Sequence, residues 1–259
     1  MTNYYFLTSM LPPIEIGHRP GIHFEELVEI LKEHFSEKDF RKLTVMRQFI
    51  DLENLRSHLK EEAIDPRGNL SKEGIEETLL HREGYPEYVH EFLEKYSFEE
   101  DLLYRFPLLF ARYFQKEIPK AKGFLHSYLD FERKWRLVMV GFRAKNLDRD
   151  VSSELQYEDS SDIFVAQILA QKDAKNFEPP FGYEDLKILF EDKMENPWAI
   201  HKALCEYRLK KIMDLEEGEL FSADRVLGYI ARLMIVEKWL ELDYEEGKVI
   251  VKNMVKEAG

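Results

Sequence analysis

Two groupings of side chains in this sequence have the residue types and spacing to do chemistry. The first is Glu87-Tyr-Val-His90, which would put a carboxylate and an imidazole about one turn apart on a helix. A carboxylate-bridged metal pair in a helical bundle uses that motif twice, together with two further inward glutamates. Here the spacing stands without its twin, so a bundle enzyme built on Glu87 and His90 is the minor reading. The second grouping is basic and aromatic: Arg133, Lys134, Trp135, Arg136, Arg143, Lys145 and Arg149, in an otherwise acidic chain. Arg133, Arg136, Arg143 and Lys145 can partly share one side of a helix. They read either as a solvated face paired with nearby glutamates or as a docking stripe for an acidic partner surface, with arginine as the anchor.

Other chemistries lack their motifs. The sequence has no His-Glu-x-x-His, no Cys-x-x-Cys and no calcium loop, and no glycine-rich phosphate loop with a strand to present it. Ser57 beside His58, and Ser127 beside His126, are sequence neighbours that point to different helix faces, so neither forms a nucleophile and base pair. The single cysteine, Cys205, permits no disulfide framework and reads as a small buried hydrophobe. No catalytic, metal or cofactor residue is assigned.

Fifty acidic against 37 basic residues give a formal charge of −13, which repels a phosphate backbone and argues against nucleic acid as a partner. At 259 residues the chain can bury a sizeable core without metal or disulfide staples. Its longest apolar stretches, residues 137–142 and 163–170, fall far short of the roughly 20 residues that span a bilayer. The opening MTNYYFLTSMLPP lacks the basic residues of a secretory leader and reads as part of the fold. A soluble, cytoplasmic protein is expected.

The elements that must position these groups are helices. Phe24, Leu27, Val28, Leu31 and Phe35 lie on one stripe of a 3.6-residue period. Ser36-Glu-Lys-Asp39 resembles a capping box and opens a helix to Lys60, which Asp65-Pro-Arg-Gly-Asn69 ends in a turn. Caps are expected at Ser71, at Ser97 in a full capping box, at Asn196 before Pro197, and at Ser222, with Pro86 in a first turn. Pro107 predicts a break or kink near Phe106. Phe124, Tyr128, Phe131, Trp135, Val138 and Phe142 mark a central core helix. Residues 147–161 read as a loop, and residues 178–182, with two prolines and a glycine, as another. Only residues 4–7 and 248–251 lean towards strand. The expectation is an all-α fold in one unit of two or three packed helical-bundle lobes, with soft divisions giving residues 1–96, 97–180 and 181–259.

One helical signature returns in altered form at residues 49–60, 131–145 and 235–243, each time with a polar or charged residue before a large apolar one: Asn54-Leu55, Lys134-Trp135 and Lys238-Trp239. At these residues, with YYFLTSMLP at 4–12, FIDLENLRSHL at 49–59, DPRGN at 65–69 and LDYEEGKVIVKNMV at 242–255, the chain resembles a bacterial family of formerly unknown function encoded with V-type ATPase genes. That family in turn resembles the C-type subunit of V/A-type ATPases, whose eukaryotic counterpart is the d-type subunit. Asp51, Asn54, Leu55 and Arg56 match the first helical signature of the C-type subunit and Arg143-Ala144-Lys145 the second, while Trp135 and Trp239 mark the altered repeats.

The resemblance implies a non-catalytic central-stalk or rotor subunit. Its partners would be the stalk subunits and proteolipid ring, and it would sit peripherally on the cytoplasmic face of the membrane without spanning it. Arg133, Arg136, Arg143 and Lys145 would belong to its docking surface. The alternative is a stand-alone helical adaptor without enzymatic activity.

Overall fold

A computed structural model describes residues 4–96, 98–193, 196–216 and 220–257. Among these the secondary structure is all α-helical apart from one 3-10 turn, Ile118–Lys120, and there is no strand. In chain order the helices are α1 (Tyr5–Met10), α2 (Phe24–His34), α3 (Glu37–Leu59), α4 (Lys72–His81), α5 (Glu87–Lys95) and α6 (Glu99–Glu117). There follow α7 (Phe124–Asn146), α8 (Val151–Glu154), α9 (Ile163–Leu169), α10 (Asp185–Lys193), α11 (Pro197–Asp214) and α12 (Ala223–Glu257). Both strand-leaning stretches lie within helices apart from Tyr4, which precedes α1. Among the described residues no helix is long and apolar enough to cross a membrane.

The chain divides into two compact units, Met1–Phe40 with Asp192–Gly259, and Arg41–Glu191. In the first, α11 packs along α12, and α12 also receives α1 and α2. The expected stripe on α2 is buried, and Glu237 of α12 accepts the backbone N–H of Phe24 at 2.8 Å, placing a carboxylate on the first turn of α2 where the orphan donors favour it. The Tyr4 hydroxyl donates to Asp39 at 2.8 Å and accepts from the Ser36 N–H at 3.1 Å, which ties the chain start to the head of α3. Trp239 packs on Trp198 with ring centroids 5.1 Å apart. Gly17, at φ +89°, faces the same indole, where a Cβ would meet the ring at 3.7 Å.

In the second unit α7 is central. It packs against α6, α8 and α9, and all six residues of its predicted stripe are buried. Phe49 of α3 stacks on Phe110 at 5.0 Å and meets Tyr113 and Phe114 at 5.6 Å. The Tyr113 hydroxyl, fully buried, donates to the Val45 carbonyl at 2.8 Å. Gly141 is a glycine because Phe177 lies hard against α7: a Cβ there would fall 2.4 Å from the ring.

Several caps form as the sequence predicts. Ser71 accepts from Gly74 N–H, Asn196 from Ala199 N–H ahead of Pro197, and Ser222 from Arg225 N–H. The box expected at Ser97 lies outside the described residues. Pro86 takes the N-cap position of α5, one residue before the first turn. Of the break or kink expected near Phe106, the break does not occur: α6 runs through Pro107 from Glu99 to Glu117. Proline removes one helical hydrogen bond, and the burial of Leu102, Phe106, Leu109, Ala111, Tyr113 and Phe114 along the same helix outweighs that loss. The expected loop at 147–161 contains one short helix, α8, capped by the Asp150 carboxylate.

Candidate partner-binding cleft

Apart from Trp239, the residues singled out by motif lie in the Arg41–Glu191 unit, where the polar ones resolve into two different structures. Asp51 and Asn54 are buried polar side chains on α3, 3% and 1% exposed. Asn54 donates to the Asp65 carbonyl at 2.8 Å and accepts the Asp65 N–H at 2.7 Å. Asp51 accepts from the Asn69 side chain at 2.6 Å and from the Leu70 N–H at 3.0 Å. Between these two points Arg67 forms a bidentate pair with Asp65, and Arg47 donates to the Arg67 and Gly68 carbonyls. Gly68 passes so close that a Cβ would lie 2.7 Å from both Asn54 Nδ2 and Asp51 Oδ1. The Asp-x-x-Asn spacing and the DPRGN turn are therefore two halves of one clasp. Burial pushes the Asp51 carboxyl up in pKa, against the pull of its hydrogen bonds from Asn69 and Leu70. Leu55, beside Asn54, is fully buried core.

The basic residues behave differently. A cleft of about 480 Å³ is lined from α3, α6, α7 and the 154–158 turn. Three of the four predicted docking residues, Arg133, Arg136 and Arg143, reach it, as does Arg56. Lys145 is not among the lining residues and donates to the Lys172 carbonyl at 2.6 Å. The helix explains this: Arg143 follows Arg136 by seven residues, close to two full turns, whereas Lys145 follows by nine, about two and a half turns at roughly 3.6 residues per turn. Trp135 is buried in the core beside Phe131, and Trp239 is buried in the other unit, so neither indole is a surface element.

The arginines at the cleft divide by partner. Arg133 bridges Glu158 and Asp162, both at 2.8 Å. Burial raises the Asp162 carboxyl, but the Arg133 guanidinium and the Phe164 N–H outweigh it and hold that pKa below the usual carboxylate range. Arg136 lies 3.6 Å over the Phe49 ring and 3.5 Å from Glu53. Arg56 and Arg143 are exposed and have no carboxylate partner among the described residues. Two polar atoms of lining residues, Arg136 Nε and the Tyr157 hydroxyl, are buried without a hydrogen-bond partner. Leu103, Phe106, Pro107, Phe110, Leu137 and Val140 supply an apolar wall. Such a surface is suited to recognition, since guanidinium forks match an oxyanion while the wall takes apolar atoms.

Sequence reasoning missed Tyr157 and Glu158, which sit in a stretch read as loop and join the cleft only through the packing of α8 and α9 on α7. On α5, Glu87 is exposed while His90 is buried. No group of three His, Cys, Asp or Glu side chains that could hold a metal occurs among the described residues. In the first unit, Cys205 is buried, 3.8 Å from His201, and burial pushes its thiol up.

Fold and site together define an all-helical protein with an arginine-lined cleft in its Arg41–Glu191 unit. The chain belongs to the family described as "Protein of unknown function (DUF2764)", whose model matches residues 1–258. Among its relatives are three chains each named "Uncharacterized protein": 27% identical over 263 residues from Chlamydia muridarum, 26% over 262 from Chlamydia trachomatis and 29% over 262 from Chlamydia pneumoniae. Each alignment covers 99% of this chain and 98% of the relative. No solved structure matches.

These findings correct the resemblance to the C-type subunit of V/A-type ATPases. The family that matches almost the whole chain is not described as an ATPase family, and none of the three relatives carries such a name. The physical source of the misreading is plain in the clasp: Asp51, Asn54 and DPRGN satisfy one another locally, and short motifs with a local structural reason are weak markers of kinship.

Proposed function

We propose that the protein is a non-catalytic helical docking protein, an adaptor whose partner contact is the arginine-lined cleft of the Arg41–Glu191 unit. The observation that carries this reading is the pair Arg56 and Arg143, two guanidiniums without carboxylate partners at one cleft, in a chain whose formal charge is −13. Where carboxylates outnumber cations, an arginine readily finds one, as Arg133 and Arg136 do beside them. Unpaired arginine next to a partly exposed apolar wall, here Leu103, Pro107, Phe110 and Val140, is the composition from which interface anchors are drawn.

The test is co-purification of the tagged protein from its native cells under mild detergent, beside a variant carrying Arg56→Glu and Arg143→Glu. A partner retained by the native protein and lost by the folded variant supports the reading, and a partner kept equally by both removes it. The same experiment reads out the sequence-level suggestion of a V-type ATPase. Recovery of central-stalk subunits and proteolipid ring would make the adaptor a coupling component at the cytoplasmic membrane face. Any other partner would make it a stand-alone adaptor. Metal analysis of the purified protein separates both from a bundle enzyme using Glu87 and His90, which a stoichiometric transition metal would favour.

A further inference from the structure

We infer that the cleft takes a short segment of its partner in which carboxylates flank an apolar side chain, rather than a broad folded surface or a free anion. This rests on the docking reading above and adds the chemistry of the occupant.

Three observations converge on it. The charge that the cleft leaves uncompensated is positive. Arg133 is neutralised by Glu158 and Asp162, Arg136 faces Glu53, and Arg149 faces Glu154, all within 3.5 Å, whereas Arg56 and Arg143 have no carboxylate partner among the described residues. An incoming carboxylate finds an unpaired guanidinium fork at Arg56 or at Arg143, while an incoming ammonium meets carboxylates that already have an arginine. Second, Arg136 Nε and the Tyr157 hydroxyl are buried at the lining without hydrogen-bond partners. Both can donate, so a shift of either side chain on binding would bring it to an oxygen acceptor of the occupant. Third, a free oxyanion would leave the wall of Leu103, Pro107, Phe110 and Val140 uncovered, and that wall is better matched by an aliphatic or aromatic side chain. The volume, about 480 Å³, lies in the range of small-ligand sites and admits a few side chains of a segment rather than the face of a domain.

The test uses the full chain and fluorescein-labelled short peptides followed by anisotropy. One alternates aspartate with leucine, the second replaces aspartate by lysine, and the third replaces leucine by glycine. The expected result is saturable binding of the first alone, weakened at least about tenfold by Arg143→Glu or Arg56→Glu and by raised salt. Val140→Asp, at a half-buried position of the wall, should weaken it similarly, with circular dichroism confirming that each variant remains helical.

Equal binding of the lysine peptide overturns the inference, because charge is then not read. Equal binding of the glycine peptide also overturns it, since the wall is then idle. If no peptide binds while Arg56→Glu with Arg143→Glu still loses the native partner, the docking site stands and the segment chemistry is wrong. If the substitutions affect neither peptide nor partner, both readings fall.

Discussion

Asp51 and Asn54 hold opposite ends of one turn: Asn54 pairs with Asp65 in both directions, and Asp51 takes the side chain of Asn69 and the N–H of Leu70. One helical face of α3 thereby fixes the chain reversal that leads into α4. Gly68 threads between them, and this gives a sharp stability contrast. Gly68→Ala should destabilise by about 1–3 kcal/mol in chemical denaturation, because its Cβ would overlap two polar atoms that are already committed. Gly74→Ala, at a helical glycine whose Cβ would meet nothing closer than 3.7 Å, should stabilise by roughly 0.5–1 kcal/mol. Equal effects of the two would refute the clasp.

Asn54→Ala should cost about 2–3 kcal/mol, since it strands both the N–H and the carbonyl of Asp65 next to buried surface. Asn54→Asp should rescue little in the same denaturation measurement, because it keeps the acceptor, loses the donor and brings a second carboxylate towards Asp51.

The pH dependence at Asp51 has a definite sign. Its folded pKa is raised by burial above the ordinary carboxyl value of 3.8, so the folded state binds more protons than the unfolded one in the window just above that value. The contribution of this group to stability therefore falls as pH rises through the window. Asp51→Asn loses one accepted hydrogen bond but has no such titration. Its deficit against the native protein should be largest near about pH 4 and shrink towards neutrality. A deficit that grows with pH would contradict the burial argument.

At Arg133 the sign reverses. Asp162 is held below its ordinary pKa with Arg133 as a principal cause, so that ion pair contributes above about pH 4 and is lost as pH falls through the lowered value. Arg133→Met should destabilise by about 1–3 kcal/mol at neutral pH, because it leaves the largely buried Glu158 carboxylate without its partner. The gap between variant and native protein should close in acid. Arg143→Met, at an exposed position without an ion-pair partner among the described residues, should change stability by less than roughly 0.5 kcal/mol while still weakening partner binding.

The parts of the fold that follow from nearest neighbours in sequence were legible, and those that depend on a distant neighbour were not. The stripes of α2 and α7 and the caps at Ser71, Asn196 and Ser222 are properties of a few consecutive residues, and they form as read. Pro107 does not end its helix: local backbone chemistry offered a break or a kink, and burial spread along α6 removes the break. The clasp joins residues 11 to 19 positions apart, and nothing in either motif names the other as its partner. At the cleft, Arg133, Arg136 and Arg143 were foreseeable from helical spacing. Arg56 and Tyr157 were not, because they arrive from α3 and the turn after α8.

The pairing of Arg133 with Glu158 has a further consequence for the cleft itself. Glu158 belongs to the lining, and Arg133 holds it through two guanidinium nitrogens at 3.2 and 2.8 Å. That grip spends the Arg133 guanidinium inside the protein and anchors the turn after α8 to α7, so the shape of the cleft wall at Glu158 is set by an ion pair rather than by apolar packing.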